Sequence, residues 1–159
     1  AARARGAAVV DVSDLLPEAP DRAAALGADR TWRAGSDDVP VEAYDVVLEC
    51  SGAAAAVNTA VCAVRRRGVV VQIGMLPNEP RPINLAPLVA KEATLTGAFR
   101  FLDEMEEAIA LLDAQPAVES VITHEFAPAD AVTAFETARD SASSAKVIVA
   151  MASAREAGQ

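Results

Sequence analysis

The chain has 159 residues, of which 52% are hydrophobic and 23% charged, so it can bury the core of an ordinary globular domain. Its formal net charge of −9 disfavours nucleic acid and anionic lipid as partners. No apolar run approaches the roughly 18 residues that a membrane helix needs. Two cysteines without a CxxC motif and a single histidine exclude a four-ligand zinc site and a secreted disulfide framework within this sequence. These features favour a reduced, cytoplasmic protein.

Strands and helices alternate along the first two thirds of the sequence. After a helix end capped by Gly6, the patterns predict, in chain order, a strand at 7–14, a helix at 20–28, a short strand near 31–32, a strand at 44–49, a helix at 53–64, a strand at 69–74, a short helix at 85–92 and a strand at 93–99. The apolar strand at 69–74 is of the kind buried on both faces of a sheet. This alternation is typical of βαβ units and indicates an α/β fold with a doubly wound parallel sheet.

The pattern changes after Phe101. An amphipathic helix at 102–114 precedes a strand at 120–126, a helix at 129–140 and a last strand at 145–151. We interpret this part as a connecting helix followed by a piece of a second domain, which places the domains at 1–102 and 103–159.

Asp14 ends the first predicted strand and is the most informative candidate for ligand binding. In dinucleotide-binding folds, an acid at this place accepts hydrogen bonds from the adenosine ribose and repels the 2′-phosphate of NADP. That acid lies about 20 residues after a glycine-rich fingerprint, and counting back from Asp14 passes the first residue of this sequence. Asp14 could equally begin a turn. Asp11 is the competing acid, ranked second because a charge within a strand must have a partner.

Small residues follow two of the predicted strands. The segment ECSG begins at Glu49, and Gly74 ends the strand at 69–74. Ligands of parallel sheets bind at the carboxyl ends of the strands, where small residues would let a flat ring approach the backbone. The alternative at both positions is a plain turn.

Arginines and the single histidine are the remaining candidates. Arg100 follows a strand and could meet an anionic or polyol ligand, or pair with Glu104 at the surface. The arginines at 65–67 are predicted to end a helix, where cations favour the dipole, rather than to bind nucleic acid. His124 has no ligand-like neighbours in the sequence and is predicted to be structural. No serine lies in a nucleophile-elbow pattern, so a hydrolase triad has no support.

Together these segments resemble the zinc-dependent medium-chain dehydrogenases, in the polyol branch of sorbitol and L-idonate 5-dehydrogenases. The matching stretches cover nearly the whole chain in the family's order: VVDVSDLLPEAPDRAAALGAD, YDVVLECSGAAAAVNTA, RRRGVVVQIGM, KEATLTGAFRF and VITHEFAPADAVTAFETARDSASSAKVIVAM. The strings ECSG, GAFRF and VITHEF with its downstream AFE are the most specific. The resemblance implies a Rossmann-type cofactor domain that lacks its first strand, followed by a C-terminal piece of the catalytic domain.

The resemblance also assigns roles to individual residues. Asp14 matches the ribose acid, which implies NAD rather than NADP as cofactor. The positions that match nicotinamide contacts, made partly through backbone groups, are Ile73, Gly74, Met75, Ala98, Phe99 and Arg100. Arg100 and Phe101 match positions that face the polyol, although the family often has tyrosine where Phe101 stands. Ala19 occupies the place of a basic residue beyond the ribose acid.

The residues that carry out the family's chemistry have no counterpart in this sequence. Its catalytic zinc ligands, proton relay, glycine loop and first strand precede the first residue, so no catalytic residue or metal ligand is expected here. Zinc is expected in the parent enzyme, where it would polarise the alcohol oxygen before hydride passes to nicotinamide. Without the first strand, the strands that end at Asp14 and Glu49 would each have an unpaired edge. The segment alone is expected to be unstable and inactive.

The predicted function is therefore a part of an NAD- and zinc-dependent enzyme that oxidises a secondary alcohol of a polyol or sugar acid, as a homodimer or homotetramer. One alternative is a zinc-free relative of the quinone reductases, which Asp14 and GAFRF disfavour. Another is a non-catalytic fragment that only oligomerises through the strand at 93–99. A methyltransferase also places an acid after its second strand, but nothing else in the sequence supports one.

Overall fold

The computed structural model describes residues 1–151. Its helices and strands are, in chain order, β1 (Asp11–Asp14), α1 (Ala19–Ala25), β2 (Arg30–Arg33), β3 (Tyr44–Glu49), α2 (Ala54–Ala63), β4 (Val64–Gln72), α3 (Ala86–Ala90), β5 (Thr94–Gly97), α4 (Met105–Asp113), β6 (Ile122–Phe126), α5 (Ala131–Arg139) and β7 (Lys146–Val149). All strand pairs are parallel, in sheets ordered β1-β2, β3-β4-β5 and β6-β7. The predicted α/β class with parallel strands is confirmed.

The chain divides into two compact units. The first combines Ala1–Asp37 with the chain from Met105 onward, and the second is Asp38–Glu104. In the first unit, α1 packs on β1 and β2, and α5 packs on β6 and β7. The division into domains at 1–102 and 103–159, drawn from the change of pattern after Phe101 and from the resemblance, stays a prediction.

The sheet edges beside β1 and β3 are unpaired within residues 1–151. There, β1 pairs only with β2, and β3 pairs only with β4, as the resemblance implies for the strands ending at Asp14 and Glu49. The first and fifth strands are shorter than predicted, because β1 keeps a partner for only four residues and β5 likewise. An apolar pattern thus extends beyond the residues that are paired in a ladder.

The core of the second unit lies between its sheet and α2. Ala60 of α2 packs with Val64 and Val70 of β4, and all three are buried. The apolar side chains packed around them are Val47, Leu88 and Ala93. Because α2 is built largely of alanine and valine, it can approach the valine-rich strand closely.

The opposite face of this sheet is open. Val70 is fully buried, but its neighbours Val69 and Val71 are only half-buried. Their register partners on β3, Val46 and Leu48, are 55% and 51% exposed. The expectation that the strand at 69–74 is buried on both faces is therefore wrong for the described residues, because helices of this unit cover one face only.

Lys91, and not the arginines at 65–67, provides the cation at the end of α2. Its side-chain nitrogen, on a residue only 3% exposed, donates hydrogen bonds to the carbonyls of Val61 (2.6 Å), Cys62 (3.0 Å) and Val64 (2.7 Å) at the end of α2. The arginines instead lie on β4, because the backbone turns extended directly after Ala63. The prediction that they end a helix is wrong, since the cation that complements the helix dipole comes from a distant segment.

Lys91→Met should destabilise the second unit. The substitution keeps the buried chain length but removes the ammonium donor from the carbonyls at the end of α2, of which Cys62 keeps the Glu42 N–H, and this loss costs about 2 kcal/mol of unfolding free energy. Urea denaturation of both proteins would measure the difference. Arg66→Met, at an exposed position of β4, is the matched control and should change the unfolding free energy by less than about 0.5 kcal/mol. Equal stability of Lys91→Met and Arg66→Met would contradict the role of the buried ammonium.

Candidate functional site

The carboxyl ends of β3, β4 and β5 lie level with one another. Glu49 is the register partner of Gln72, and Gln72 is the register partner of Gly97. The N–H of Ala98 donates to the carbonyl of Gln72 at 2.9 Å, so the segments that follow β4 and β5 begin next to each other. These are the segments 73–75 and 98–100, predicted from the resemblance to contact nicotinamide. Their assignment to a cofactor stays a prediction, but both segments begin at the same edge of the sheet.

Apolar side chains are exposed along this edge. Ile73, Met75, Phe99 and Phe101 are all exposed, and Met75 is 74% exposed. The Arg100 guanidinium lies over the Phe99 ring, 4.9 Å from the ring centre, and Arg100 has a positive φ of 57°. An apolar surface with a cation beside it can accept the flat ring of a ligand together with a polar group.

The alternative pairing of Arg100 with Glu104 is not formed. The Glu104 carboxylate instead accepts a hydrogen bond from the N–H of Leu102 at 2.7 Å. Within the part of the chain that the structure describes, Arg100 has no ion pair. Its charge is therefore available to an incoming ligand.

Asp14 and Asp11 have different surroundings on β1, in the first unit. Asp14 ends the strand, and its Oδ1 accepts the N–H of Leu16 at 2.9 Å. The Asp11 side chain is only 3% exposed and forms an ion pair with Arg30 at 2.8 Å. The carboxylate within the strand thus has the partner that burial requires, which leaves Asp14 as the accessible acid at the strand end.

Glu49 is a functional candidate that the sequence reasoning missed. It is only 4% exposed, and its Oε1 accepts hydrogen bonds from the N–H and Oγ of Ser51, at 2.8 and 2.5 Å. Its Oε2 accepts from the N–H of Gly52 at 3.0 Å and from the Gln72 amide. The available signal was an acid at the end of an apolar strand, followed at once by residues whose N–H groups face back toward it.

The hydrogen bonds to Glu49 determine its charge state. Burial acts to raise the pKa of its carboxyl, but hydrogen bonds from Ser51, Gly52 and Gln72 outweigh burial and hold the pKa below its ordinary value of 4.5. Glu49 is therefore a carboxylate at neutral pH. Burial, together with this charge, raises the pKa of the neighbouring Cys50 thiol.

Gly52 and Gly74 are needed for backbone packing. Gly52 has a φ of +71°, and a Cβ there would lie 2.7 Å from the carbonyl carbon of Met75. A Cβ on Gly74 would lie 2.7 Å from the carbonyl carbons of Cys50 and Ser51. The turns after β3 and β4 thus pack directly on each other. Their small residues are explained without a ligand, and the place of Gly74 in a cofactor site stays a prediction.

Other candidates have only local contacts. His124 lies on β6, with its Nδ1 3.0 Å from the Thr123 hydroxyl and its ring stacked on Phe126. Among residues 1–151, no group of three His, Cys, Asp or Glu side chains could hold a metal ion. No helix in the same range is long and apolar enough to span a bilayer.

Gly52→Ala should disrupt this edge of the sheet. The new methyl group would clash with the backbone of Met75 at a left-handed φ, so the unfolding free energy should fall by roughly 2 kcal/mol or more. Chemical denaturation would measure the loss. Gly97→Ala, where a Cβ meets nothing within 4 Å, is the matched control at the same edge. A Gly52→Ala protein as stable as Gly97→Ala would refute the packing argument.

The stability of the second unit should depend on the ionisation of Glu49. Because its pKa is lowered on folding, its charge stabilises the fold above pH 4.5, and this contribution is lost as the pH falls through the lower folded value. Between about pH 5 and pH 3, the unfolding free energy should therefore fall more steeply for the unmodified protein than for Glu49→Gln. Urea titrations across this range would compare the slopes, with the exposed Glu106→Gln as control. Parallel slopes for the unmodified protein and Glu49→Gln would rule the contribution out.

Comparison with known proteins relates the chain to a family of oxidoreductases. Residues 1–114 match the family model for zinc-binding dehydrogenases. Sorbitol dehydrogenase of Mus musculus is 34% identical over 152 residues, in an alignment that covers 87% of this chain and 42% of the mouse protein. The chain thus spans less than half the length of this relative.

Solved structures show the same similarity. L-idonate 5-dehydrogenase from Escherichia coli str. K-12 substr. MG1655 superimposes with a TM-score of 0.81 at 30% identity, over 91% of this chain and 43% of that one. A structure from Sinorhizobium meliloti 1021 with bound NADP has a TM-score of 0.82 at 25% identity, over 93% of this chain and 46% of that one. The resemblance to the sorbitol and L-idonate branch, with its Rossmann-type cofactor domain, is confirmed. The chain belongs to the zinc-binding dehydrogenase family.

Proposed function

We propose that the protein containing this chain oxidises a secondary alcohol of a polyol or sugar acid, with NAD as the hydride acceptor. The observation that carries the proposal is that the segments 73–75 and 98–100 both begin at the same carboxyl edge of a parallel sheet, where the Ala98 N–H donates to the Gln72 carbonyl. Ligands of such sheets bind at this edge. The sorbitol and L-idonate relatives support the substrate class.

The segment at 73–75 offers backbone groups to a carboxamide. The N–H groups of Ile73 and Gly74 both donate to the carbonyl of Glu49, at 2.8 and 2.9 Å. Within residues 1–151, the carbonyl of Ile73 and the N–H of Met75 have no such partner. An acceptor and a donor two residues apart match the carboxamide group of nicotinamide. When bound, the nicotinamide ring supplies the carbon that accepts the hydride. The Ile73 and Met75 side chains would exclude water from that ring.

Arg100 and Phe101 are proposed to face the alcohol substrate. The guanidinium of Arg100 can donate to the hydroxyl groups of a polyol or to the carboxylate of a sugar acid. Phe101 offers only an apolar surface, so it contributes shape rather than a hydrogen bond. A carboxylate substrate would gain more from Arg100 than a neutral polyol does.

Zinc does not fit the described residues, because they lack the ligand group that a metal needs. No catalytic step is therefore assigned to a metal on this chain. Its part in the proposed reaction is to bind and orient the cofactor, and to hold one side of the substrate.

A non-catalytic role remains the second candidate, and one observation favours it. β5 pairs with β4 along one edge, and its other edge has no partner within residues 1–151. All four of its residues are exposed, so a second copy could pair there. A stable dimer that fails to bind NADH would support this alternative over the enzyme.

Substitution of Asp14 tests whether the cofactor is NAD or NADP, since one similar structure has NADP bound. We expect the unmodified full-length protein to bind NADH and to reduce NAD with L-idonate or sorbitol. Asp14→Ala should weaken NADH binding about tenfold, because the ribose loses its hydrogen-bond acceptor. It should also reduce the preference for NADH over NADPH, because the carboxylate no longer repels the 2′-phosphate.

Fluorescence titration with NADH and NADPH, together with initial rates of NAD reduction, would measure these effects. Asp21→Ala, which removes an exposed acid from the first turn of α1, is the control for net charge and should bind both cofactors as the unmodified protein does. Unchanged cofactor preference in Asp14→Ala would remove Asp14 from the site. Absence of NADH binding by the unmodified protein would overturn the proposed function.

A further inference from the structure

We infer that Glu49 is a positioning residue, which holds the segment 73–75 in the conformation that receives the nicotinamide ring. This inference rests on the proposed function. It assigns a task to a buried carboxylate that touches no expected ligand atom.

Glu49 acts on the segment from two sides. Its backbone carbonyl accepts the N–H groups of both Ile73 and Gly74, at 2.8 and 2.9 Å. Its carboxylate binds the Gln72 amide, and the same amide nitrogen donates to the carbonyl of Gly74 at 2.8 Å. Three backbone groups in the first two residues of the segment are thus tied to Glu49, directly or through one side chain.

The same carboxylate fixes the surface on which the segment rests. It accepts hydrogen bonds from the N–H groups of Ser51 and Gly52, and these bonds hold the turn after β3 in its conformation. Gly52 lies against the backbone of Met75, and Gly74 lies against Cys50 and Ser51. A change in the turn would therefore move the segment, because there is no free space between the two.

This arrangement leaves the two groups that nicotinamide needs. Of the six backbone groups at 73–75, the bonds to Glu49 and Gln72 satisfy two N–H groups and the Gly74 carbonyl. The Ile73 and Met75 carbonyls and the Met75 N–H have no hydrogen-bond partner within residues 1–151. A carboxamide binds well only when its donor and acceptor sites are fixed before it arrives. Loss of the Glu49 carboxylate would release the segment while leaving those groups present.

The test separates the two halves of the cofactor. In the full-length protein, Glu49→Gln should weaken NADH binding at least tenfold, because an amide nitrogen cannot accept the hydrogen bonds that hold the turn. Binding of 5′-AMP, which lacks the nicotinamide half, should change less than twofold. Calorimetric titration with both probes would give the two constants, and KM for NAD should rise more than KM for the alcohol.

Lys91→Met is the matched control for stability. It weakens the same unit at the other end of α2 and touches none of the groups around Glu49. Its folded protein should bind NADH and 5′-AMP as the unmodified protein does. If Glu49→Gln weakens NADH and 5′-AMP equally, or neither, Glu49 is merely structural and the inference is overturned.

Gln72→Leu keeps the inference testable if Glu49→Gln does not fold. It removes the amide that joins the Glu49 carboxylate to the Gly74 carbonyl, and leaves the bonds from Ser51 and Gly52 in place. We expect NADH binding to weaken about threefold with 5′-AMP unchanged. NADH affinity equal to that of the unmodified protein would overturn the inference, whereas an unmodified protein that binds no NADH would overturn the proposed function with it.

Discussion

Opposite charges at the two ends of α2 are the constraint on which the second compact unit depends. The helix carries no acidic residue in its first turn and no basic residue in its last. Glu49 supplies a carboxylate just before the helix begins, and Lys91 supplies an ammonium group where it ends. Both charges have the sign that the helix dipole favours at that end. Both are buried, and their hydrogen bonds offset the free-energy cost of removing them from water. Lys91 thus bonds the end of this alanine-rich helix directly, whereas Glu49 holds the turn that leads into it.

The positions of these charges explain why one end of the sheet is suited to a ligand. Lys91 uses its donors entirely within the fold, at the amino-terminal edge of the strands. Glu49, at the carboxyl edge, arranges backbone groups of its neighbours so that some remain open. The structural charge and the positioning charge thus lie at opposite edges of one sheet. A substitution at Lys91 can therefore lower stability without changing any group around Glu49.

Local pattern predicted the elements well, and distant contacts account for what it missed. The strand Tyr44–Glu49 was predicted with its observed bounds, because a short apolar run between two turns indicates both ends of a strand from local sequence alone. The arginines at 65–67 were misplaced because the cation at the helix end comes from Lys91, a contact that no window of sequence contains. The segments at 73–75 and 98–100 begin at one edge, since β4 and β5 are neighbouring parallel strands with level ends. The bonds of Glu49 to Gln72 depend on strand register, which the sequence does not specify.

The two acids of β1 illustrate the same limit. Asp11 and Asp14 both have arginine partners in the register of β2, Arg30 and Arg33, and the sequence pattern does not show this pairing. Arg30, itself 55% exposed, forms an ion pair with the buried Asp11 carboxylate at 2.8 Å. Arg33 donates its backbone N–H to the Asp37 carboxylate at 2.6 Å, and within residues 1–151 no ion pair joins Arg33 to Asp14. Asp14 is therefore neutralised by no cation within residues 1–151, and only its Oδ1 is held, by a backbone N–H. A carboxylate oriented by one bond and not paired with a cation retains acceptor sites for a ribose hydroxyl, which is the condition that the proposed role of Asp14 requires.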